Sequence, residues 1–354
     1  VIGTYSPQWP FTRTGWLPRT AKVDYAFELM GAGQFAIDIP RDDFNASLVY
    51  PGVMLGIKSR YALPDFAGYV ERIEKSEDDE HLTITGKEWV GLLEERTTDQ
   101  SRTFATGNAG NVSGDIIRQA QGRNPTGLTV TSAVGTPLPA PFTVNSDSVL
   151  GALNDLADLT GDEWVVTYSV GPAVTGVLRW VRSVGTDKRD SVHLGGRMIA
   201  QADYVSDLVS SSALVRVVGD TGAFKDRPSA TVVANGPLAL QDTVLYRSAL
   251  PAGSTPIAYR GVTTARESVV VDANLPDSLS IQHRAIEELR AFLNGAETLS
   301  IVLSTAQLWN RCFLGDVVMV RTLGIVRAFR IYGMQPREDI GKMELVGKVL
   351  LDAA

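Results

Sequence analysis

Between Val23 and Leu29 apolar and polar side chains alternate: Val23, Tyr25, Phe27 and Leu29 fall on one face, Asp24, Ala26 and Glu28 on the other. A period of two is the mark of a half-buried strand. The connection MGAGQ follows, then Phe35, Ile37 and Ile39 alternate with Ala36 and Asp38 until Pro40 stops the run, so residues 23–40 predict a hairpin with a glycine-bearing loop. Further strands are expected at VMLGI (53–57), FAGYVERI (66–73) and HLTITG (81–86), with the charge run EKSEDDE between the last two as a solvated hairpin tip. Five short strands in the first ninety or so residues predict a small antiparallel barrel over residues 1–95.

The pattern then repeats. In the first copy Tyr50-Pro51-Gly52 leads into VMLGI, and Leu82-Thr83-Ile84-Thr85-Gly86-Lys87 closes the hairpin that follows. In the second, Phe313-Leu314-Gly315 leads into DVVMV, a hairpin runs through IVRAFRIY and the polar QPREDIG, and Met343-Glu344-Leu345-Val346-Gly347-Lys348 closes it. The two glycine-to-glycine spacings are 34 and 32 residues, from Gly52 to Gly86 and from Gly315 to Gly347. Upstream, Ile39 lies 13 residues before its glycine and Leu303 lies 12 before its own. The shared aromatic-x-Gly start and Gly-Lys finish separate this match from the resemblance that any two alternating hairpins have. The expected fold is mainly β with α+β insertions, containing two similar small antiparallel β-barrels in one chain.

Between the copies the period changes. SGDIIRQAQ (113–121) is a short helix candidate with Ser113 as its cap, and SDSVLGALNDLADLTG (146–161) is a longer one, with Asp147 or Ser146 to cap it and Gly161 to end it. EWVVTY and GVLRWVR then predict a hairpin carrying Trp164 and Trp180, which makes 96–200 an α+β middle domain. ALVRVV (213–218) is expected to begin the second barrel, which spans 201–354 with a long excursion at 220–295. That excursion is rich in Gly, Pro, Ser and Thr and carries one helix candidate, SLSIQHRAIEELRAFLNG.

Composition narrows the chemistry. The 354 residues hold 33 Lys plus Arg against 40 Asp plus Glu, a formal charge of −7, so there is no basic footprint for sustained binding of nucleic acid or an anionic membrane. No apolar run approaches the ~18 residues of a membrane span, and the start VIGTYSPQWPFTRTGW has no secretory pattern. One cysteine, Cys312, and three histidines, His81, His193 and His283, leave no zinc cluster to build. The acid pairs Asp42/Asp43, Asp78/Asp79 and Glu287/Glu288 are adjacent in sequence, and on a strand such neighbours point to opposite faces. His283 with Glu287 could make one metal contact but has no third ligand, and Cys312 beside Arg311 reads as a buried structural thiol. Neither TGNAGN (106–111) nor LGGRM (194–198) has the strand-to-helix setting of a phosphate cradle. No catalytic, cofactor or metal residue is therefore expected, and the chain is expected not to be an enzyme.

The order FELMGAGQFAIDIP, YPGVMLGI, GYVERIEKSEDDEHLTITGKEWVGLLEER, then SVLGALNDLADLTGDEWVV, then FLGDVVMVRTLGIVRAFRIYGMQPREDIGKMELVGKVL resembles phage tail hub proteins, the Gp27-like and ReqiPepy6 Gp37-like baseplate group. The resemblance implies a homotrimer in which two barrels per subunit form a pseudo-six-fold ring. It implies a structural protein of the virion tail tip or baseplate, assembled in the host cytoplasm, that joins a six-fold tail tube to a three-fold tip. The expected partners are a distal tail or tube ring, the tape measure protein and tip or fibre proteins, with DNA passing through a channel without stable binding. A cell-wall or glycan-active enzyme, or a carbohydrate-binding adhesin of β domains, is the other reading, and oligomeric mass separates the two.

Overall fold

The computed structural model describes the chain except for residues 9–10, 18–21, 60, 62, 76–79, 99–100, 124, 132–134, 140, 145–147, 207–213, 220–228, 236–238, 247–266, 273–296, 338–339 and 351–354. The protein is mainly β, with antiparallel pairing dominant. Two four-strand units have the same connectivity. In the first, the spatial order is Gln34–Pro40, His81–Glu88, Phe66–Lys75, Met54–Ile57; in the second it is Glu297–Leu303, Lys342–Leu350, Ile325–Arg337, Val317–Thr322. Both belong to one 14-stranded sheet, joined where Ile325–Arg337 pairs with Phe27–Glu28 and meets Lys22–Tyr25. Among the described residues the pairings run as an open path and close neither unit on itself.

The repeat extends to individual hydrogen bonds. Gly52 and Gly315 both take positive φ, +90° and +79°. Gly52 donates to the Val70 carbonyl at 2.7 Å and Gly315 to that of Ile331 at 2.8 Å. Val70 and Ile331 in turn donate to the Val53 and Asp316 carbonyls, each at 3.0 Å. One residue further on, both long strands bulge, skipping Glu71 and Tyr332. Opposite the bulges sit Gly86 and Gly347, where a Cβ would lie 2.0 Å from the Tyr69 and Arg330 carbonyl oxygens. A bulge adds twist and brings backbones together, so the partner position admits only glycine.

The alternating faces bury as their period requires. Phe35, Ile37, Ile39, Leu82 and Ile84 of the first unit share one apolar core with Leu299, Ile301, Leu303, Met343 and Leu345 of the second. A separate core lies under the two helices, Ala109–Arg123 and Val149–Thr160, and the hairpin Glu163–Val170/Val174–Val181. Trp89, Tyr5 and Met54 reach into it from the first unit.

Several expectations are corrected. The strand over 23–29 is two strands, Lys22–Tyr25 and Phe27–Glu28, because they serve different neighbours: the first pairs with Gln34–Pro40, the second with the other unit. The break falls at Ala26, whose N–H donates to the Gln34 carbonyl. The first helix begins at Ala109, with Asn108 Oδ1 accepting the Gly110 N–H at 2.9 Å, and Ser113 lies inside it, donating to the Gly110 carbonyl. Ser148 caps the second helix by accepting the Gly151 N–H at 2.9 Å, in place of Asp147 or Ser146, and Gly161 ends it at φ +68°. Leu214–Gly219 does not begin the second unit. It pairs with Ser229–Asn235 and Glu267–Asp272 in a separate four-stranded sheet, while Ile199–Ser206 takes the edge beside Glu297–Leu303. Strands without a clear period carry no sequence signal; Ile2–Tyr5 and Arg13–Trp16 are two in the first unit, and Arg102–Phe104, Leu128–Thr131 and Phe142–Val144 are others in the middle segment. The charge run at 76–79 and the helix expected at 278–295 lie outside the described residues.

The glycine crossing makes a paired prediction. Gly86→Ala and Gly347→Ala should each destabilise by roughly 1–3 kcal/mol through forced backbone displacement. Gly122→Ala, in a helix with open space around it, should stabilise by about 0.5–1 kcal/mol. Urea unfolding of the three variants checks the contrast.

Candidate functional site

The most heavily hydrogen-bonded polar cluster sits where the second unit meets the middle segment. Asp316, 2% exposed, accepts from the Thr186 N–H at 2.9 Å, the Thr186 hydroxyl at 3.2 Å, the Phe313 N–H at 2.9 Å and Lys188 Nζ at 2.6 Å. Arg330 reaches Glu163 at 2.6 Å, and Glu163 also accepts the Val184 N–H at 2.7 Å. Gly185 and Gly315 pass so closely that a Cβ on either would lie 2.2–2.3 Å from the other segment's backbone. A charge-assisted pair with all lone pairs used is what lets ionised groups stand in a seam largely shut off from water. This cluster clamps residues 183–188 to the second unit.

At the matching place in the first unit the chemistry is different. Val53 stands where Asp316 does, and Tyr69 where Arg330 does. No segment is clamped there. Instead a cleft of about 660 Å3 opens, floored by Phe11, Met54 and Tyr69 and rimmed by Glu71, Glu95 and Arg96. The Tyr69 hydroxyl donates to Glu95 at 3.2 Å and, weakly, to Glu71 at 3.5 Å. Burial first, then these carboxylates, push the phenol far above its ordinary pKa. A phenol held between two carboxylates cannot act as a base at neutral pH.

Beside this cleft a carboxyl is wholly buried. Glu88, at the end of its strand, accepts the Gly33 N–H at 2.8 Å and is hydrogen-bonded to Tyr168, whose hydroxyl accepts the Val90 N–H at 3.3 Å. Burial pushes its pKa up to about 8 against the lowering effect of Gly33 and Tyr168, with Glu28 adding to the rise. Tyr168 stacks on Trp89 at 5.9 Å, so this buried carboxyl ties the middle hairpin to the first unit.

The residues singled out from sequence are not brought together. Asp43 caps a short helical turn, Phe44–Leu48, by accepting the Asn45 N–H at 2.8 Å, and Asp42 is exposed. His81 and His193 are exposed at strand starts, one pairing with Pro40 and the other with Met319. Cys312 is buried, and burial pushes its thiol up to about 11, with Asp316 adding to the rise. Trp164 and Trp180 form a buried cross-strand pair. Asp78, Asp79, His283, Glu287 and Glu288 lie outside the described residues. Among the described residues no three His, Cys, Asp or Glu side chains gather as a metal site. The residues sequence reading missed are Asp316, Arg330 and Glu163. A signal existed in the repeat itself, where FLGD replaces YPGV.

No family model and no curated protein sequence matches the chain. Solved structures do. The 43 kDa tail protein of prophage MuSo2 from Shewanella oneidensis is 15% identical with a TM-score of 0.63, over 99% of this chain and 98% of that one. A tail protein from Neisseria meningitidis is 15% identical with a TM-score of 0.59, over 98% and 96%. An E. coli type VI secretion component, described as similar to the T4 tail proteins gp27 and gp5, is 10% identical with a TM-score of 0.52, over 95% and 75%. The chain has the fold of phage tail proteins. The likeness to the prophage MuSo2 tail protein runs along nearly the whole length of both chains.

The buried carboxyl makes stability depend on pH. The folded pKa of Glu88 is raised above the unfolded value of 4.5, so its contribution is fully present below that value and is lost as pH rises through about 8. Thermal unfolding between pH 5 and 8 should show a falling midpoint, with a slope from this residue of at most about 1.4 kcal/mol per pH unit. Glu88→Gln, which keeps the hydrogen-bonding shape without the ionisation, should flatten that slope.

Proposed function

We propose that this chain is the structural hub of a phage or phage-like tail, a virion protein of the tail tip or baseplate that joins a six-fold tube to a three-fold tip and lines the DNA channel. In this reading it has no enzymatic activity. Residues 1–95 and 201–354 are the two hub barrels, 96–200 is the middle domain, and three subunits place six similar barrels in a ring. The duplicated unit carries the proposal. Two units with one strand order, one glycine lead-in and one bulge give each subunit two nearly equivalent faces, which a three-fold assembly needs in order to meet a six-fold ring. The likeness of the fold to tail proteins supports the same role. The partners are a second and third copy of this chain, a distal tail or tube ring, the tape measure protein and tip or fibre proteins. Residues 220–295 are assigned to contacts with neighbouring subunits or tip proteins. The chain is assembled in the host cytoplasm and carries no membrane span.

Locating the chain in images of intact particles tests the role. Density for three copies at the tail tip, around a central channel, is expected; a monomeric chain absent from the tail refutes it.

A second expectation concerns the channel. DNA carries about one negative charge per 1.7 Å of duplex and adheres to a basic wall. With a net charge of −7 the chain can present a neutral or acidic lumen, with Arg and Lys directed to subunit contacts or outward. Duplex DNA should therefore show no salt-sensitive binding to the assembled ring. A lumen lined continuously with Arg and Lys would contradict it.

A further inference from the structure

The two repeat units do not contact each other reciprocally. The hairpin loop of the first unit, 58–65, reaches the second: Tyr61 meets Trp309 edge to face at 4.5 Å, and Leu63 is buried in the shared core. Trp309 belongs to the short helical turn Ala306–Arg311, which precedes Gly315 as Phe44–Leu48 precedes Gly52. Among the described residues the tip of the second unit's own hairpin is left exposed. Its ladder runs on to the pair Thr322↔Ile325, where that of the first ends at Ile57↔Phe66, and its tip projects with Leu323 60% and Val326 50% exposed. Two bodies joined by a two-fold would have buried both tips. A contact made by one unit and only received by the other is heterologous; among the described residues it leaves the second unit's tip exposed, while the first unit's turn is packed on one side by Arg13–Trp16 through Leu48 and keeps Ala46 and Leu48 half-buried.

The free tip also carries strain. Thr322 pairs with Ile325 across a two-residue turn in which Leu323 has φ +51° and Gly324 +75°. Such turns favour Asn-Gly or Asp-Gly, and an exposed leucine there gains nothing within the monomer. Its retention in this conformation points to burial elsewhere.

We infer that the Leu323–Gly324 tip of one copy docks head to tail on the Phe44–Leu48 turn of a second copy of this chain. Aligning Gly52 with Gly315 puts Ala46 at the place of Trp309, so the turn presents a smaller side chain where, inside the chain, Tyr61 is met. Ala46 and Leu48 are half-buried. The charges are complementary and differ from those of the contact inside the chain. Arg321 and Arg327 flank the tip and are exposed, while the receiving turn carries exposed Asp42, where the second unit has Thr305. The inference rests on the hub reading only for closure of the ring at three copies. The contact follows from the duplication.

Sedimentation of the full chain over a range of concentrations, with Leu323→Asn in parallel, tests it. Asn suits the turn, so the variant should unfold at a higher temperature than wild type, yet self-associate at least tenfold more weakly. Arg321→Glu should weaken association similarly, and Asp42→Arg in the same chain should restore it. In an oxidative mixing experiment, Leu323→Cys and Ala46→Cys chains should cross-link to each other as dimers. Leu323→Cys alone should not link to itself; Cys312 is buried and stays out of the reaction. A wild type that stays monomeric, a Leu323→Asn chain that assembles like wild type, or self-linking of Leu323→Cys overturns the contact. If particles carry the chain at the tail tip and Leu323→Asn rings form normally, the contact fails and the hub reading stands. A self-associating chain absent from tails gives the reverse.

Discussion

Neither repeat unit has an apolar core of its own. Ile37, Ile39 and Ile84 from one and Ile301, Leu303 and Leu345 from the other are all fully buried, and they lie in a single cluster. A four-stranded sheet with one apolar face cannot stand alone in water, since an exposed strand face forfeits about 25 cal/mol for each Å2 of apolar surface left wet. Each unit therefore serves as the other's second layer. The 13-residue strand Ile325–Arg337 follows from that demand: one edge pairs with Lys342–Leu350 up to Arg337, while the other pairs with Val317–Thr322 up to Arg330 and beyond it is open to Phe27–Glu28. The shared core also accounts for the break at Ala26, where one apolar run is divided between partners in the two units.

How much of this is legible in the sequence depends on the range of the interaction. The runs at 35–39 and 81–86 are visible because a face buried on one side imposes a period of two, while 54–57 and 66–70 are buried on both faces and are visible only as short continuous apolar runs. The duplication is visible because Gly52, Gly86, Gly315 and Gly347 are each required by backbone geometry, and geometry of that kind survives change in the surrounding side chains. Ile2–Tyr5 is fully buried on both faces and so shows no alternation at all. Arg13–Trp16 is an edge strand exposed along most of its length, and its pattern is equally flat. The start of the first helix was misplaced because Asn108 and Ser113 are both residues that can cap, and only the fold decides between them. The seam of Asp316, Arg330 and Glu163 joins positions more than 140 residues apart in its longest links, such as Arg330 to Glu163 with 167 between their numbers. No local pattern records such a pairing.

The two units then diverge where their surroundings do. At the second, Asp316 and Arg330 hold the incoming middle segment by charge-assisted hydrogen bonds, and Gly185 allows its backbone to touch Gly315. At the first, Val53 and Tyr69 leave an open cleft with an acidic rim. Duplication supplies equal frames, while substitution at a few positions makes one frame an internal joint and leaves the other facing outward. Glu88 belongs to the same division of labour: its buried carboxyl binds the middle hairpin to the first unit through Tyr168, as Asp316 binds the linker after that hairpin to the second.

A subunit built this way has a direction. Its first unit gives a hairpin and its second receives it, so a chain of such subunits runs from giver to receiver without an internal two-fold to terminate it. What stops growth in a heterologous series is the rotation between successive units, which either closes a ring or extends a helix. The shared core fixes that rotation within the chain, because repacking Phe35, Ile37 and Ile39 against Leu299, Ile301 and Leu303 in another orientation would open voids in a close-packed interior. The angle that a ring would repeat between subunits is thus set inside each one by apolar packing. In the proposed assembly, contacts at the tips would then only have to repeat an angle that the core already holds.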